Sequence, residues 1–126
     1  MPKTVAAVVD DLLFLSRIRE AARASGADVV AARTPDALLA AARGGAALVL
    51  VDADSARLPW TEAVRALRED PAVGAVPVVA FLSHVNVDHA EAARAAGATR
   101  VLARGAFVAE LPALMAAAGL PQETPS

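Results

Sequence analysis

The sequence predicts a (βα)5 domain of the α/β class, in which a doubly wound, five-stranded parallel sheet lies between two layers of helices. Short runs of strand length alternate five times with segments of helical periodicity. The strongest runs are apolar at every position, which is typical of parallel strands that helices cover on both faces. The chain of 126 residues has the size of one domain. We expect that domain over residues 1–120, followed by a polar tail over 121–126.

The first strand and helix follow from an abrupt change of pattern. The apolar run Val5–Val9 predicts the strand, and the acidic pair Asp10 and Asp11 ends it. In the next segment, Leu12–Ser25, apolar residues recur on one helical face, which predicts a helix. Gly26 then ends the helix, as glycine often does.

The second strand and helix carry the clearest capping signal. A short strand is expected at Asp28–Ala32. Thr34 is a good N-cap, Pro35 suits the first helical position, and Asp36 meets the positive end of the helix dipole. The glycine pair that begins at Gly44 stops this helix.

The remaining elements follow the same two patterns. We expect strands at Ala47–Val51, Val76–Leu82 and Thr99–Ala103, and helices at Pro59–Glu69, Asp88–Ala96 and within Val108–Ala118. Pro112 predicts that the last helix begins close to Leu111 or is irregular there, because proline lacks the N–H that a helix interior uses.

Composition excludes several classes of function. The chain has no cysteine, which excludes disulfides and thiol catalysis. A net charge of −2 and only four aromatic residues argue against nucleic-acid binding. No apolar run approaches the roughly 18 residues of a membrane span. Asp10 and Asp11 interrupt the amino-terminal apolar stretch, so a signal peptide is not indicated and the expected location is the cytoplasm.

Polar side chains follow four of the five predicted strands. They are Asp10 and Asp11 after the first, Asp52 and Asp54 after the third, Ser83 and His84 after the fourth, and Arg104 after the fifth. The carboxyl ends of parallel strands share one edge of a sheet, where ligands bind in doubly wound folds. Clustered carboxylates repel one another, and a hard divalent cation relieves that repulsion. The pattern therefore predicts a Mg²⁺ site, against the simpler interpretation that each aspartate only caps the helix after it.

This order of elements and acidic residues resembles the receiver domain of two-component response regulators, over about residues 3–120. The resemblance implies a flavodoxin-like fold and a signalling domain rather than an enzyme. It implies that Asp10 and Asp11 hold Mg²⁺ together with Asp52, and that Asp52 accepts a phosphoryl group from a histidine kinase. Arg104 and Ser83 would then contact the phosphoryl oxygens. In-line attack by a carboxylate fits this chemistry, because charge developing on the phosphoryl oxygens is neutralised by cations.

Three departures from the receiver pattern bear on this interpretation. Arg104 stands where receivers carry a lysine, and a planar guanidinium does not mimic a compact ammonium. Counting without gaps from Asp52 or Arg104 places Leu82 at the hydroxyl position, with Ser83 one residue late. A slip of one residue turns a side chain to the other face of a strand. The loop after Asp52 also lacks the Met-Pro and Asp-Gly signals of ordinary receivers.

Two mechanisms remain open for a stand-alone signalling domain of this kind. In the first, Asp52 is phosphorylated and the domain then acts through a partner protein. In the second, the domain is a pseudo-receiver that binds partners without phosphorylation, and Arg104 forms a salt bridge with Asp52 or Asp11 that fixes one state.

Other chemistries are weaker interpretations of the same residues. Asp52 and Asp54 after an apolar strand resemble the first motif of haloacid-dehalogenase-type phosphatases, but no lysine follows them. The first strand–helix turn lacks the glycines of nucleotide-binding sites. His84 is expected to be a loop residue that could border the acidic edge, and His89 an ordinary residue of the fourth helix. The two histidines lack partners with zinc-ligand spacing.

The larger side chains of the later helices predict core packing rather than a cofactor site. This applies to Trp60, Leu111, Leu114 and Met115. The alternative is an exposed apolar patch around the fourth and fifth helices, through which the domain would bind a partner or a second copy. That patch would comprise Val85, Val87, Phe107, Val108 and Leu111.

Overall fold

Strands and helices alternate along the chain as expected. The computed structural model describes residues 3–83 and 87–119. Its strands are β1 (Lys3–Val8), β2 (Ala27–Ala31), β3 (Ala46–Asp52), β4 (Val78–Leu82) and β5 (Arg100–Ala103). Its helices are α1 (Leu12–Ala24), α2 (Pro35–Arg43), α3 (Trp60–Glu69), α4 (Val87–Ala96) and α5 (Arg104–Gly119). Within these ranges, no helix is both long enough and apolar enough to cross a membrane.

The five strands form one parallel sheet in the order β2-β1-β3-β4-β5. This is the flavodoxin-like order, and it confirms the predicted fold class. The order reverses between β1 and β3, and ligands bind outside the carboxyl ends of strands at such a switch point. The acidic pair after β1 and Asp52 at the end of β3 therefore flank the crevice where the fold places a site.

Helices cover both faces of the sheet and enclose two apolar cores. One core joins α1 and α5 to alternate strand residues such as Leu50 and Phe81. The other joins α2, α3 and α4 to the intervening residues such as Val49 and Val51. This alternation follows from the two-residue period of a strand, which presents successive side chains to opposite faces. Trp60 and Met115 are buried, which confirms the core interpretation for these side chains.

Local capping agrees with the sequence signals. The Thr34 hydroxyl accepts a hydrogen bond from the Ala37 amide at 3.0 Å, and Pro35 begins α2. Gly26 has a φ of 73°, a conformation that favours glycine after a helix.

The start of α5 corrects one prediction. The helix begins at Arg104 and continues through Pro112, so the expectation of a start close to Leu111 is wrong. Phe107 and Leu111 are buried on the inner face of α5, and Pro112 is exposed on its outer face. Burial of these apolar side chains outweighs the hydrogen bond that the proline removes. The same burial excludes Phe107 and Leu111 from the suggested exposed patch. Of the other members, Val87 is exposed, and Val85 lies outside the described residues.

Candidate functional site at the carboxyl edge of the sheet

Asp52 is the most buried acid at this edge. It is the last residue of β3, with 3% of its surface exposed, and it pairs in register with Phe81 of β4. Its Oδ1 accepts a hydrogen bond from the Asp54 amide at 2.9 Å. Burial raises the pKa of the Asp52 carboxyl, and the charges of Asp54 and Asp10 act in the same direction. The Asp54 amide and the charge of Arg104 oppose this rise without cancelling it.

Arg104 reaches two of the acids from the opposite side of the crevice. It is the first residue of α5, directly after β5. One terminal guanidinium nitrogen lies 3.5 Å from Asp52 Oδ2, and the other lies 3.9 Å from Asp11 Oδ2. Both contacts are ion pairs, and both distances are longer than that of a hydrogen bond. Among the described residues, the buried Arg104 Nε has no hydrogen-bond acceptor. The guanidinium is thus electrostatically paired but retains unused donors.

Arg104 lies against two rings of a stack of three phenylalanines. The rings of Phe14, Phe81 and Phe107 stack with centroid separations between 4.2 and 5.8 Å. The Arg104 guanidinium carbon lies 4.6 Å from the Phe14 centroid and 5.8 Å from the Phe81 centroid. A cation over an aromatic face is stabilised by the ring quadrupole. The stack therefore holds the charge of Arg104 at the crevice rather than in solvent.

Asp10 and Asp11, the acidic pair after β1, have different contacts. Asp11 is exposed and is the N-cap of α1, with its Oδ1 accepting from the Phe14 amide at 3.1 Å while Oδ2 faces Arg104. Asp10 is half-buried, and its charge contributes to the raised pKa of Asp52. The cap interpretation thus holds for Asp11, which also takes part in the charged site.

Ser83 and Asp54 form a second group beside the first. Leu82 is buried in the core, and Ser83 follows it at the exposed end of β4. The Ser83 amide donates a hydrogen bond to Asp54 Oδ2. Ser83 therefore contacts Asp54, whereas Asp52 contacts Arg104.

His89 also belongs to this second group, although its sequence position predicted only an ordinary residue of the fourth helix. Its Nδ1 lies 3.7 Å from Asp54 Oδ1. Burial alone would raise the pKa of Asp54, but hydrogen bonds from Ser83, the contact with His89 and the charge of Arg104 lower it overall. A helix that follows a strand begins at the carboxyl edge, so the position of His89 in the first turn of α4 was the available signal. His84 lies outside the described residues.

A groove runs from this site between α1 and α5. Its volume is about 750 Å³, and Asp11, Phe14, Arg104 and Val108 are among its lining residues. Leu13 also lines the groove and is 84% exposed. The charged site thus opens onto a surface that is partly apolar.

Solved structures resemble the whole of this fold. A response regulator from Burkholderia multivorans is 25% identical, with a TM-score of 0.73 over 98% of this chain and 100% of that one. The chain has the receiver fold of response regulators. The Mn²⁺-bound response regulator Rcp1 is 16% identical, with a TM-score of 0.74 over 99% and 100% of the two chains. The phosphorylated cyanobacterial phytochrome response regulator RcpA is 20% identical, with a TM-score of 0.72 over 93% and 91%. No protein-family model and no curated protein matches the sequence.

Among the described residues, the three aspartates predicted to hold Mg²⁺ do not form a metal-binding cluster. Asp10, Asp11 and Asp52 supply the hard oxygen ligands that Mg²⁺ prefers. Within residues 3–83 and 87–119, however, no three acidic, histidine or cysteine side chains converge closely enough to hold a metal ion. Arg104 instead lies against both Asp11 and Asp52. The donor chemistry fits a metal but the arrangement does not, and Mg²⁺ binding by these three aspartates stays a prediction.

Proposed function

We propose that this receiver is a signalling domain that acts by binding a partner protein, with Asp52 as its phosphoacceptor. The observation that carries the proposal is the position of Arg104, 3.5 Å from the Asp52 carboxylate, with its buried Nε lacking an acceptor among the described residues. A phosphoryl group on Asp52 would supply the oxygen acceptors that this guanidinium lacks. A histidine kinase is the expected phosphodonor, and the receiver fold supports this expectation.

The proposed transfer requires a nucleophile, a cation that stabilises the phosphoryl charge, and access to the buried carboxylate. An Asp52 carboxylate oxygen attacks phosphorus as the bond from phosphorus to the donor nitrogen breaks, and the leaving nitrogen keeps the electron pair. Arg104 stabilises the charge on the phosphoryl oxygens, as cationic groups do in phosphoryl transfer. The buried position of Asp52 requires the edge to open slightly before attack, because only 3% of its surface is exposed.

Magnesium enters this proposal as a competitor of Arg104. A metal ion would neutralise phosphoryl charge when bound, but Asp11 and Asp52 must first give up the guanidinium. We therefore expect Mg²⁺ to bind weakly to the wild type and more tightly to Arg104→Ala, and we derive no step through the metal.

A pseudo-receiver is the second candidate, and the same ion pairs favour it. Arg104 spans Asp11 and Asp52 and therefore already neutralises the acids without a phosphoryl group. In this case the domain would present one fixed surface to its partner, and Asp52→Asn would leave partner binding unchanged.

The fluorescence of Trp60 distinguishes the two candidates. Trp60 begins α3, eight residues after Asp52, and is buried in the core that α3 shares with β3. The protein is titrated with beryllofluoride, a phosphoryl mimic, in the presence of Mg²⁺, and then with Mg²⁺ alone. Phosphorylation at Asp52 predicts a saturable change that Asp52→Asn abolishes. The matched control is Asp88→Asn, which removes an exposed carboxylate of α4 and should respond like the wild type. A flat titration, with no heat in calorimetry, would contradict the phosphoacceptor and favour the pseudo-receiver.

A further inference from the structure

Asp54 connects three elements that are distant in sequence. Its amide donates to Asp52 at the end of β3, while its carboxylate accepts from Ser83 at the end of β4 and contacts His89 in α4. Ser83 and His89 lie on either side of residues 84–86. The carboxylate of Asp54 thus joins the end of β4 and the start of α4 to the loop that follows the phosphoacceptor position.

We propose that Asp54 is an electrostatic tether that holds the β4 end and α4 against the site, and that added negative charge on Asp52 releases it. The release step rests on the function proposed above, whereas the tether does not. Asp54 is a positioning residue in this scheme, because it acts on the α4 surface through Ser83 and His89.

Asp52 and Asp54 already repel each other before any phosphoryl group is added. The Asp54 amide lies 2.9 Å from Asp52 Oδ1, which keeps the two acidic residues next to each other. After burial, the charge of Asp54 is among the causes that raise the pKa of Asp52, as expected for neighbouring carboxylates that repel. Arg104 offsets this repulsion, because its charge favours the ionised form of both acids. A phosphoryl group adds roughly 1.5 to 2 negative charges at neutral pH. That increase also draws the Arg104 guanidinium to the phosphoryl oxygens, which leaves Asp54 repelled and less compensated.

The consequence is a change at the α4 surface without any large motion at Asp52. When the Asp54 carboxylate moves away, the Ser83 amide loses its charged acceptor and His89 loses its contact with Asp54. Hydrogen bonds to charged groups contribute more to stability than neutral ones. The end of β4 and the first turn of α4 are then held less tightly, and a partner that binds there would distinguish the two states.

The tether is tested by amide hydrogen exchange on the full chain, followed by NMR. We expect Asp54→Ala to lower the protection of the Ser83 amide about tenfold, as the loss of a hydrogen bond to a charged acceptor implies. The reference is the Leu58 amide, which donates to the Ser55 hydroxyl in the same loop and not to Asp54. Asp88→Asn serves as the charge control. Equal Ser83 protection in Asp54→Ala and wild type would overturn the tether.

The release is tested with charge changes of opposite sign. Asp52→Asn removes the repelling charge and should raise Ser83 protection relative to Leu58, whereas beryllofluoride at Asp52 should lower it. Arg104→Gln, which needs no phosphoryl mimic, should also lower it, and none of these changes should appear in an Asp54→Ala background. If beryllofluoride does not bind but the two substitutions act as expected, the phosphoacceptor fails and the tether stands. Unchanged Ser83 protection in both Asp52→Asn and Arg104→Gln would overturn the release.

Discussion

The guanidinium of Arg104 lies over the ring of Phe14, with 4.6 Å between the guanidinium carbon and the ring centroid. Among the described residues, Arg104 is the only cation in contact with Asp52. Its contact with Phe14 fixes where the guanidinium lies relative to Asp52. Phe14 lies three residues after Asp11, whose carboxylate caps the Phe14 amide and also faces Arg104. The first turn of α1 therefore positions both an acid and an aromatic face around the same arginine.

Replacing Phe14 should disturb both the core and the charged site. We expect Phe14→Leu to lower the free energy of unfolding by about 1–2 kcal/mol, because it removes ring contacts with two phenylalanines and one cation. It should also raise the pKa of Asp52 further, because Arg104 is held less firmly beside it. Urea denaturation and an NMR titration of the Asp52 carboxyl measure the two effects. Leu13→Ala, at an 84% exposed position, is the control and should have little effect on either.

Asp52→Asn should stabilise the protein at neutral pH. A raised pKa in the folded state means that the native protein holds this proton more tightly than the unfolded chain. The wild type therefore loses stability as pH rises from the ordinary value of 3.8 through the folded pKa. Thermal unfolding followed from about pH 4 to 8 should show a higher Tm for Asp52→Asn at neutral pH, and the difference should shrink toward the acidic end. A lower Tm for Asp52→Asn than for the wild type at neutral pH would contradict this prediction.

Arg68 should be the most sensitive arginine for stability. From α3 it donates to the carbonyls of Gly74, Val76 and Gly97 and to the Thr99 hydroxyl, and it thereby joins the loops that precede β4 and β5. We expect Arg68→Met to lower the free energy of unfolding by about 2–4 kcal/mol, because several carbonyls lose a charged donor. Arg65→Met lies on the exposed side of the same helix and is the control. Similar urea midpoints for the two variants would show that these hydrogen bonds contribute little.

Asp70 should show a pH dependence of the opposite sign to that of Asp52. Hydrogen bonds from Arg43 and the Ala72 amide lower the pKa of its carboxyl. Stability from this group is therefore present above the ordinary value of 3.8 and is lost as pH falls through the folded pKa. We expect Asp70→Asn to lower the Tm at neutral pH and to approach the wild type in acid. Glu69→Gln, the exposed neighbour, should follow the wild type throughout, and a constant offset for Asp70→Asn would contradict the linkage.

Local signals in the sequence predicted most of the fold and part of the site. Apolar runs located the five strands to within a few residues, and the Thr34 cap and Gly26 located helix ends. The fifth helix shows where such signals fail. Pro112 predicted a late start, but burial of Phe107, which depends on rings from α1 and β4, extends the helix back to Arg104.

The sequence by itself determined which polar residues meet at one edge, because parallel strands bring their carboxyl ends together whatever the side-chain details. Only the tertiary structure decided how those residues pair. Arg104 faces Asp52 and Asp11 across the crevice, and Ser83 and His89 face Asp54, in each case between elements far apart in the chain. Charge and hydrogen bonding act over a few ångströms, and those distances are set by the packing of α1, α4 and α5 on the sheet rather than by spacing along the chain.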